Sequence, residues 1–256
     1  AVGYFANSLK VFSRDLVDGT LSIVETINNT GTNGLGTPRS VLVSPDGVHV
    51  YVAGSGSRCI SIWERDGTSG ELSYITKKED GVDGIDGLSS VFSLSISSDG
   101  LFLYSGALFD EAVSMYERDP VSGDLTLLDI KWDGIDVAEG LDPVNSLLIS
   151  SDNQYLYTIS MWDDAVLVFY CDPVLKEISF VEIENETTGL AEYMCGLRAG
   201  TISPDGLFLY TCSGLDNALT CFDRNQGTGE LDYNAVIKDD PLTPDGMGNI
   251  REVVVS

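Results

Sequence analysis

The chain repeats itself at a fixed step of 53 residues. Asp46 of Ser44-Pro45-Asp46-Gly47 is matched by Asp99 in Ser97-Ser98-Asp99-Gly100, by Asp152 in Ser150-Ser151-Asp152-Asn153 and by Asp205 in Ser203-Pro204-Asp205-Gly206. The same step carries Tyr51 to Tyr104, Tyr157 and Tyr210, and Trp63 to Tyr116, Phe169 and Phe222. A period of this length marks a supersecondary unit that buries its apolar face only against its neighbours. Two partial copies flank the full ones. Residues 3–15 match 50–66 with a deletion, and 251–256 match 39–44.

Within a copy the apolar residues alternate with period two and no helical stripe competes, so the regular structure is expected to be strand. Four strands are predicted per copy, at 40–44 (A), 49–53 (B), 60–64 (C) and 71–76 (D) in the first. The turns between them are explicit. Ser-Pro-Asp-Gly puts Pro at the second turn position and Gly where positive φ is needed, and 65–72 and 118–125 close the C–D hairpin in a similar way. A 53-residue unit of four antiparallel strands is a blade of a β-propeller, an all-β fold whose radial repetition protects sheet edges. The chain therefore reads as a single domain, 1–256, of five blade equivalents. Complete blades span 40–92, 93–145, 146–198 and 199–250. Residues 1–39 supply strands B, C and D of a fifth, completed by strand A from 251–256. Pairing of 253–256 beside 3–6 closes a five-blade ring; the alternative is a segment of a longer propeller array.

The motifs SPDGVHVYVAG (44–54), SPDGLFLYTCSG (203–214) and ISIWERD with TSGEL (60–66, 68–72) resemble the YVTN and lactonase-like β-propeller repeats. That superfamily includes phosphogluconolactonase-like proteins, and the resemblance covers nearly the whole chain. It implies the blade structure. Lactonase-like enzymes usually have seven blades, against five equivalents here, and blade motifs carry scaffold rather than activity.

With 14 basic and 40 acidic side chains the net charge is −26, which repels nucleic acid and anionic lipid. Cations, basic surfaces or neutral molecules are the expected partners: a protein or glycan, or further copies of the chain, with no nucleic acid and no membrane insertion. Apolar residues make up 43% of the chain in periodic order, so the acidity does not signal disorder. Asn28 and Asn185 head N-glycosylation sequons in predicted loops, and favour a secreted, extracellular or periplasmic protein. The five cysteines lack CxxC spacing and form no zinc pattern. Cys195 and Cys212 are the expected disulfide, because simple antiparallel register sets Arg198 opposite Cys212 and brings Cys195 near.

Strand direction puts the B–C loops and the D-to-A connections on one face. That face gathers Asp110 and Glu111, Asp163 and Asp164, and Asp216 from the loops. The connections add Glu79, Asp80, Asp83, Asp86, Asp133, Asp136 and Glu139. Carboxylates interleaved with glycine can wrap calcium, the one cofactor expected, although the spacing is not that of an EF-hand. Position 39 recurs as Arg39, Phe92, Asn145, Arg198 and Arg251 where the innermost strand begins, at the mouth of the central channel. Arg39, Asn145, Arg198 and Arg251 are thus candidates to bind an anionic or polyol ligand, or else to neutralise neighbouring carboxylates. No catalytic residue is assigned. His49 is the only histidine and lies on the opposite face, so a His-dependent triad has no base near the acidic loops. The leading expectation is a non-enzymatic binding or structural module. The alternatives are a multivalent lectin and a lactonase-like hydrolase or isomerase.

Overall fold

A computed structural model describes residues 1–137, 139–186, 193–239 and 247–255. The first sheet has three strands, β1 (Val2–Gly3), β2 (Ser8–Arg14) and β3 (Leu21–Asn28). Four four-stranded sheets follow. The first holds β4 (Pro38–Val43), β5 (His49–Gly54), β6 (Cys59–Arg65) and β7 (Leu72–Glu79), and the next β8 (Val91–Ile96), β9 (Phe102–Ala107), β10 (Ala112–Arg118) and β11 (Leu125–Trp132). The third holds β12 (Val144–Ile149), β13 (Tyr155–Ser160), β14 (Ala165–Asp172) and β15 (Glu177–Asn185). The last holds β16 (Leu197–Ile202), β17 (Phe208–Ser213), β18 (Ala218–Arg224) and β19 (Leu231–Lys238). Every sheet is an antiparallel meander whose order in space is its order in sequence. The all-β, propeller-like reading therefore stands, and no helix among the described residues is long and apolar enough to cross a membrane.

The A–B turn is built the same way four times. Ser44 Oγ donates to Asp46 Oδ1 at 2.5 Å, the Val48 N–H donates to the same oxygen at 3.0 Å, and the His49 N–H donates back to Ser44 Oγ at 2.9 Å. Ser97 with Asp99, Ser150 with Asp152 and Ser203 with Asp205 repeat the arrangement. The invariant spacing of the Ser and Asp is thus explained by two orphan N–H groups and a hydroxyl satisfied within the turn.

The innermost strands β4, β8, β12 and β16 follow one another around the molecule, and the core lies between neighbouring sheets. Tyr51, Ile60 and Ile62 of one blade pack on Val91, Leu94, Leu103 and Tyr116 of the next. Beneath the connections Leu35, Leu88, Leu141 and Met194, one per copy, are wholly buried. A polar tie also crosses this junction. The Tyr51 hydroxyl donates to Gly123 O at 2.8 Å and accepts from Arg118 Nε at 2.8 Å. Arg118 also donates to Gly100 O at 3.0 Å and to Asp46 at 2.7 Å. Two blades on, Tyr157 donates to Gly229 O, accepts from Arg224 Nε, and Arg224 donates to Gly206 O. The aromatic column at 51, 104 and 157 is therefore packing, as is Trp63.

Three local expectations need correction. Strand D runs on to Glu79 rather than stopping at 76, because it pairs along the whole of strand C as far as Cys59. Asn28 and Asn185 consequently end strands β3 and β15 instead of lying in loops, and Thr187 of the second sequon lies outside the described residues. The expected pairing of 253–256 beside 3–6 is not seen among the described residues: 251–255 carry no strand, and Ser256 lies outside them. The Asn249 N–H donates to the Asn217 side chain at 2.5 Å, which holds the end of the chain over the β17–β18 turn.

Candidate functional site

In each four-stranded sheet the A–B pairing skips one residue. The register jumps between Pro38 and Ser40, Val91 and Ser93, Val144 and Ser146, and Leu197 and Ala199. The residues skipped are Arg39, Phe92, Asn145 and Arg198. A bulge frees its extra residue from the ladder and re-aims its side chain. Here four bulges at one 53-residue step aim four side chains at one place. They line a cavity of about 400 Å³ together with Arg251, the fifth member of the series, and with Pro143, Met161 and Trp162.

Three guanidiniums thus share one cavity in a chain of net charge −26. Among the described residues none of them is ion-paired with a carboxylate, so the neutralising role expected as an alternative is not what the geometry shows. Arg39 Cζ lies over the rings of Tyr4 and Phe92, 4.0 and 4.4 Å from their centroids. Arg198 Nη1 points at Met161 Sδ at 2.9 Å, and its Nε is buried with no partner. The side-chain amide of Asn145 donates to Leu197 O at 3.2 Å. Trp162 is 62% exposed at the rim. An apolar ring, three fork-shaped cations and an amide are groups of the kind that can hold an anion on a polar carbon skeleton.

One residue before the lining Pro143 in the chain stands Asp142. Its carbonyl accepts the N–H groups of Trp162 and Asp163, and its own N–H donates to Asp163 Oδ2 at 2.8 Å. One oxygen of Asp142 is buried without a partner. Burial, reinforced by the charges of Glu111, Asp163 and Asp133, raises its pKa to about 6. Sequence reasoning missed Asp142, Met161 and Trp162. A signal existed for the first, since the corresponding residues of the other copies are Gly36, Ser89 and Cys195.

The remaining acidic residues have local employment. Asp110, Asp163 and Asp216 each accept the N–H of the residue leading into the next strand A: Ser89, Asp142 and Cys195, at 2.7 to 2.8 Å. Asp133 accepts from Gly140 and Leu141, Asp164 from Gly196, and Asp136 from Trp132. Asp80, Asp86 and Asp110 each bring an oxygen to within 4.8 Å of the others, while Asp83 is not in that group. Asp80 is paired with Arg58 and also accepts the Leu88 N–H.

The cysteines are free, including Cys195 and Cys212. The bulge at Arg198 puts Ala199, not Arg198, opposite Cys212, and the Cys195 backbone is held away by Asp216. Burial and the charges of Asp164 and Asp216 push the Cys195 thiol up to about 11, so it is a poor nucleophile at neutral pH. His49 is buried on the opposite face, where Nδ1 accepts from Arg118 at 2.8 Å and burial lowers its pKa.

A family model described as lactonase, 7-bladed beta-propeller, matches residues 3–85. No curated protein matches the sequence. Among solved structures, a protein from Lactobacillus plantarum is 16% identical with a TM-score of 0.78, the match covering 96% of this chain and 69% of that one. A Bacteroides fragilis structure assigned as a 6-phosphogluconolactonase is 20% identical, with TM-score 0.75 and coverage of 93% and 66%. The periplasmic gluconolactonase of Pseudomonas aeruginosa is 20% identical, with TM-score 0.71 and coverage of 90% and 63%. The chain thus spans about two thirds of the length of these structures. The expectation of a non-enzymatic module is corrected on these findings: the matching family model is a lactonase model, and two of the similar structures are assigned as lactonases. The resemblance to the lactonase-like β-propellers that the blade motifs carry is shown.

Proposed function

We propose that this chain hydrolyses a sugar lactone that carries a negative charge, bound at the channel mouth. The observation that carries the reading is the meeting of Arg39, Arg198 and Arg251 in one cavity, without acidic partners among the described residues; the desolvated carboxylate of Asp142 belongs to the residue next to the lining Pro143. The arginines hold the anionic substituent and Trp162 covers the ring. Asp142 draws a proton from water as its oxygen attacks the lactone carbonyl; the ring C–O bond breaks, the leaving oxygen is protonated, and the product is an open-chain hydroxy acid. The likeness to a 6-phosphogluconolactonase and a gluconolactonase supports this class of substrate, and a periplasmic location is proposed on the second of these. Five blade equivalents around one channel is the architecture proposed, supported by the convergence of all five position-39 residues. Proton release from 6-phosphogluconolactone and from gluconolactone, followed at constant pH, tests the activity. Turnover above the spontaneous rate, faster for the phosphorylated lactone, is expected; no enhancement on either refutes the proposal.

A further inference from the structure

The arginine that ties neighbouring blades is missing from one junction. The column 65, 118, 171, 224 reads Arg, Arg, Cys, Arg. At the junction where Cys171 stands, the three acceptors that receive a guanidinium elsewhere are still in place. Tyr104 corresponds to Tyr51 and Tyr157, Asp99 to Asp46 and Asp152, and the carbonyl of Asn153 to those of Gly100 and Gly206. Tyr104 is 1% exposed and Cys171 2%. Asp99 Oδ1 is taken by its own turn, through Ser97 and the Leu101 N–H, and among the described residues Asp99 forms no ion pair. A cavity of about 280 Å³ opens there, lined by Asp99, Phe102, Tyr104, Asn153, Tyr170 and Cys171.

We infer that this cavity is a binding site for a guanidinium-bearing ligand, which occupies the place that Arg118 and Arg224 fill at the sister junctions. The chain itself displays the geometry twice. The Nε–H goes to a tyrosine hydroxyl, one Nη to a turn carbonyl and the other toward a turn aspartate, at 2.7 Å for Arg118 and 3.8 Å for Arg224. Arg224 also lies 5.6 Å from the ring centroids of Tyr155 and Tyr157, whose counterparts at the open junction are Phe102 and Tyr104. A planar cation with N–H donors spread over a wide fork reaches all of these groups at once; a compact ammonium or a metal ion spans fewer of them from one position. Shortening arginine to cysteine removes the cation and leaves its receptor.

Methylguanidinium is the probe, with methylammonium and sodium chloride at equal ionic strength as controls for general screening of an acidic surface. Calorimetric titration of the whole chain should show one methylguanidinium bound per chain, with an affinity of millimolar order and a matching rise in melting temperature that neither control reproduces. Cys171→Arg, which supplies the missing side chain, should abolish that binding and raise the melting temperature of the ligand-free protein. Asp99→Asn and Tyr104→Phe should each weaken binding about tenfold. Equal binding by wild type and Cys171→Arg, or no difference between methylguanidinium and the controls, overturns the inference. If Cys171→Arg does not fold, undiminished affinity in both other variants overturns it.

Discussion

Arg198 and Asp142 divide the proposed chemistry between recognition and proton transfer, and each makes a separate prediction. Replacing Arg198 by Gln keeps the shape of the stem and removes a charge-assisted donor. It should lower kcat/KM for a phosphorylated lactone about 10- to 100-fold while leaving a neutral lactone almost unaffected. Asp142→Asn keeps the buried contacts but cannot accept a proton, and should cost about 10²- to 10⁴-fold in kcat. Because Asp142 acts in its charged form, kcat/KM should rise with pH through about 6 and then level off, the value to which burial and neighbouring carboxylates raise this group. Steady-state kinetics across pH 4.5 to 8 check this; a flat profile, or the same rising limb in Asp142→Asn, removes Asp142 from the mechanism.

At the scale of strands and turns, the blades are fastened by tyrosine–arginine ties as well as by apolar packing. Arg224 is 5% exposed, and its removal leaves the Tyr157 oxygen and a turn carbonyl short of a donor. Arg224→Ala should destabilise the fold by about 3–5 kcal/mol, read from urea denaturation monitored by tryptophan fluorescence. A loss within error of zero would mean that the tie is redundant. Much of this layer was legible in the sequence. Period, strand order and turn chemistry follow from Asp46, Tyr51 and their copies, since alternation and a Ser-Pro-Asp-Gly turn act over a few residues. The gap in the arginine column at Cys171 was also open to reading. The bulges at 39, 92, 145 and 198 were not, because a bulge is a relation between two strands and leaves the alternation of either one nearly unchanged. The acidic loops are ambiguous in sequence for a related reason. A carboxylate that caps the N–H groups of its own connection, as Asp133 does for Gly140 and Leu141, has the same composition as a calcium loop.

For the whole molecule, acidity and burial act together on stability. The carboxyl groups of Asp142 and Glu184 are raised by burial, to about 6 and about 7, from ordinary values of 3.8 and 4.5. Within those windows the folded chain holds protons that the unfolded chain has released, so stability falls as pH rises through them. Asp46 works in the opposite sense. Burial opposes its ionisation, but hydrogen bonds from Ser44, the Val48 N–H and Arg118 outweigh this and hold it at about 2. Its contribution is present above 3.8 and is lost as pH falls toward 2. The melting temperature should therefore peak in mild acid, between about pH 4 and 6, and a maximum at pH 8 in a calorimetric series would contradict this. In the proposed function, an acidic propeller gathers three arginines at its channel mouth to hold an anionic lactone for hydrolysis. Its most direct test is the ratio of kcat/KM for 6-phosphogluconolactone to that for gluconolactone, measured in wild type and in Arg198→Gln. A ratio well above unity that collapses toward unity in the variant is expected. A ratio that is the same in both proteins would contradict it.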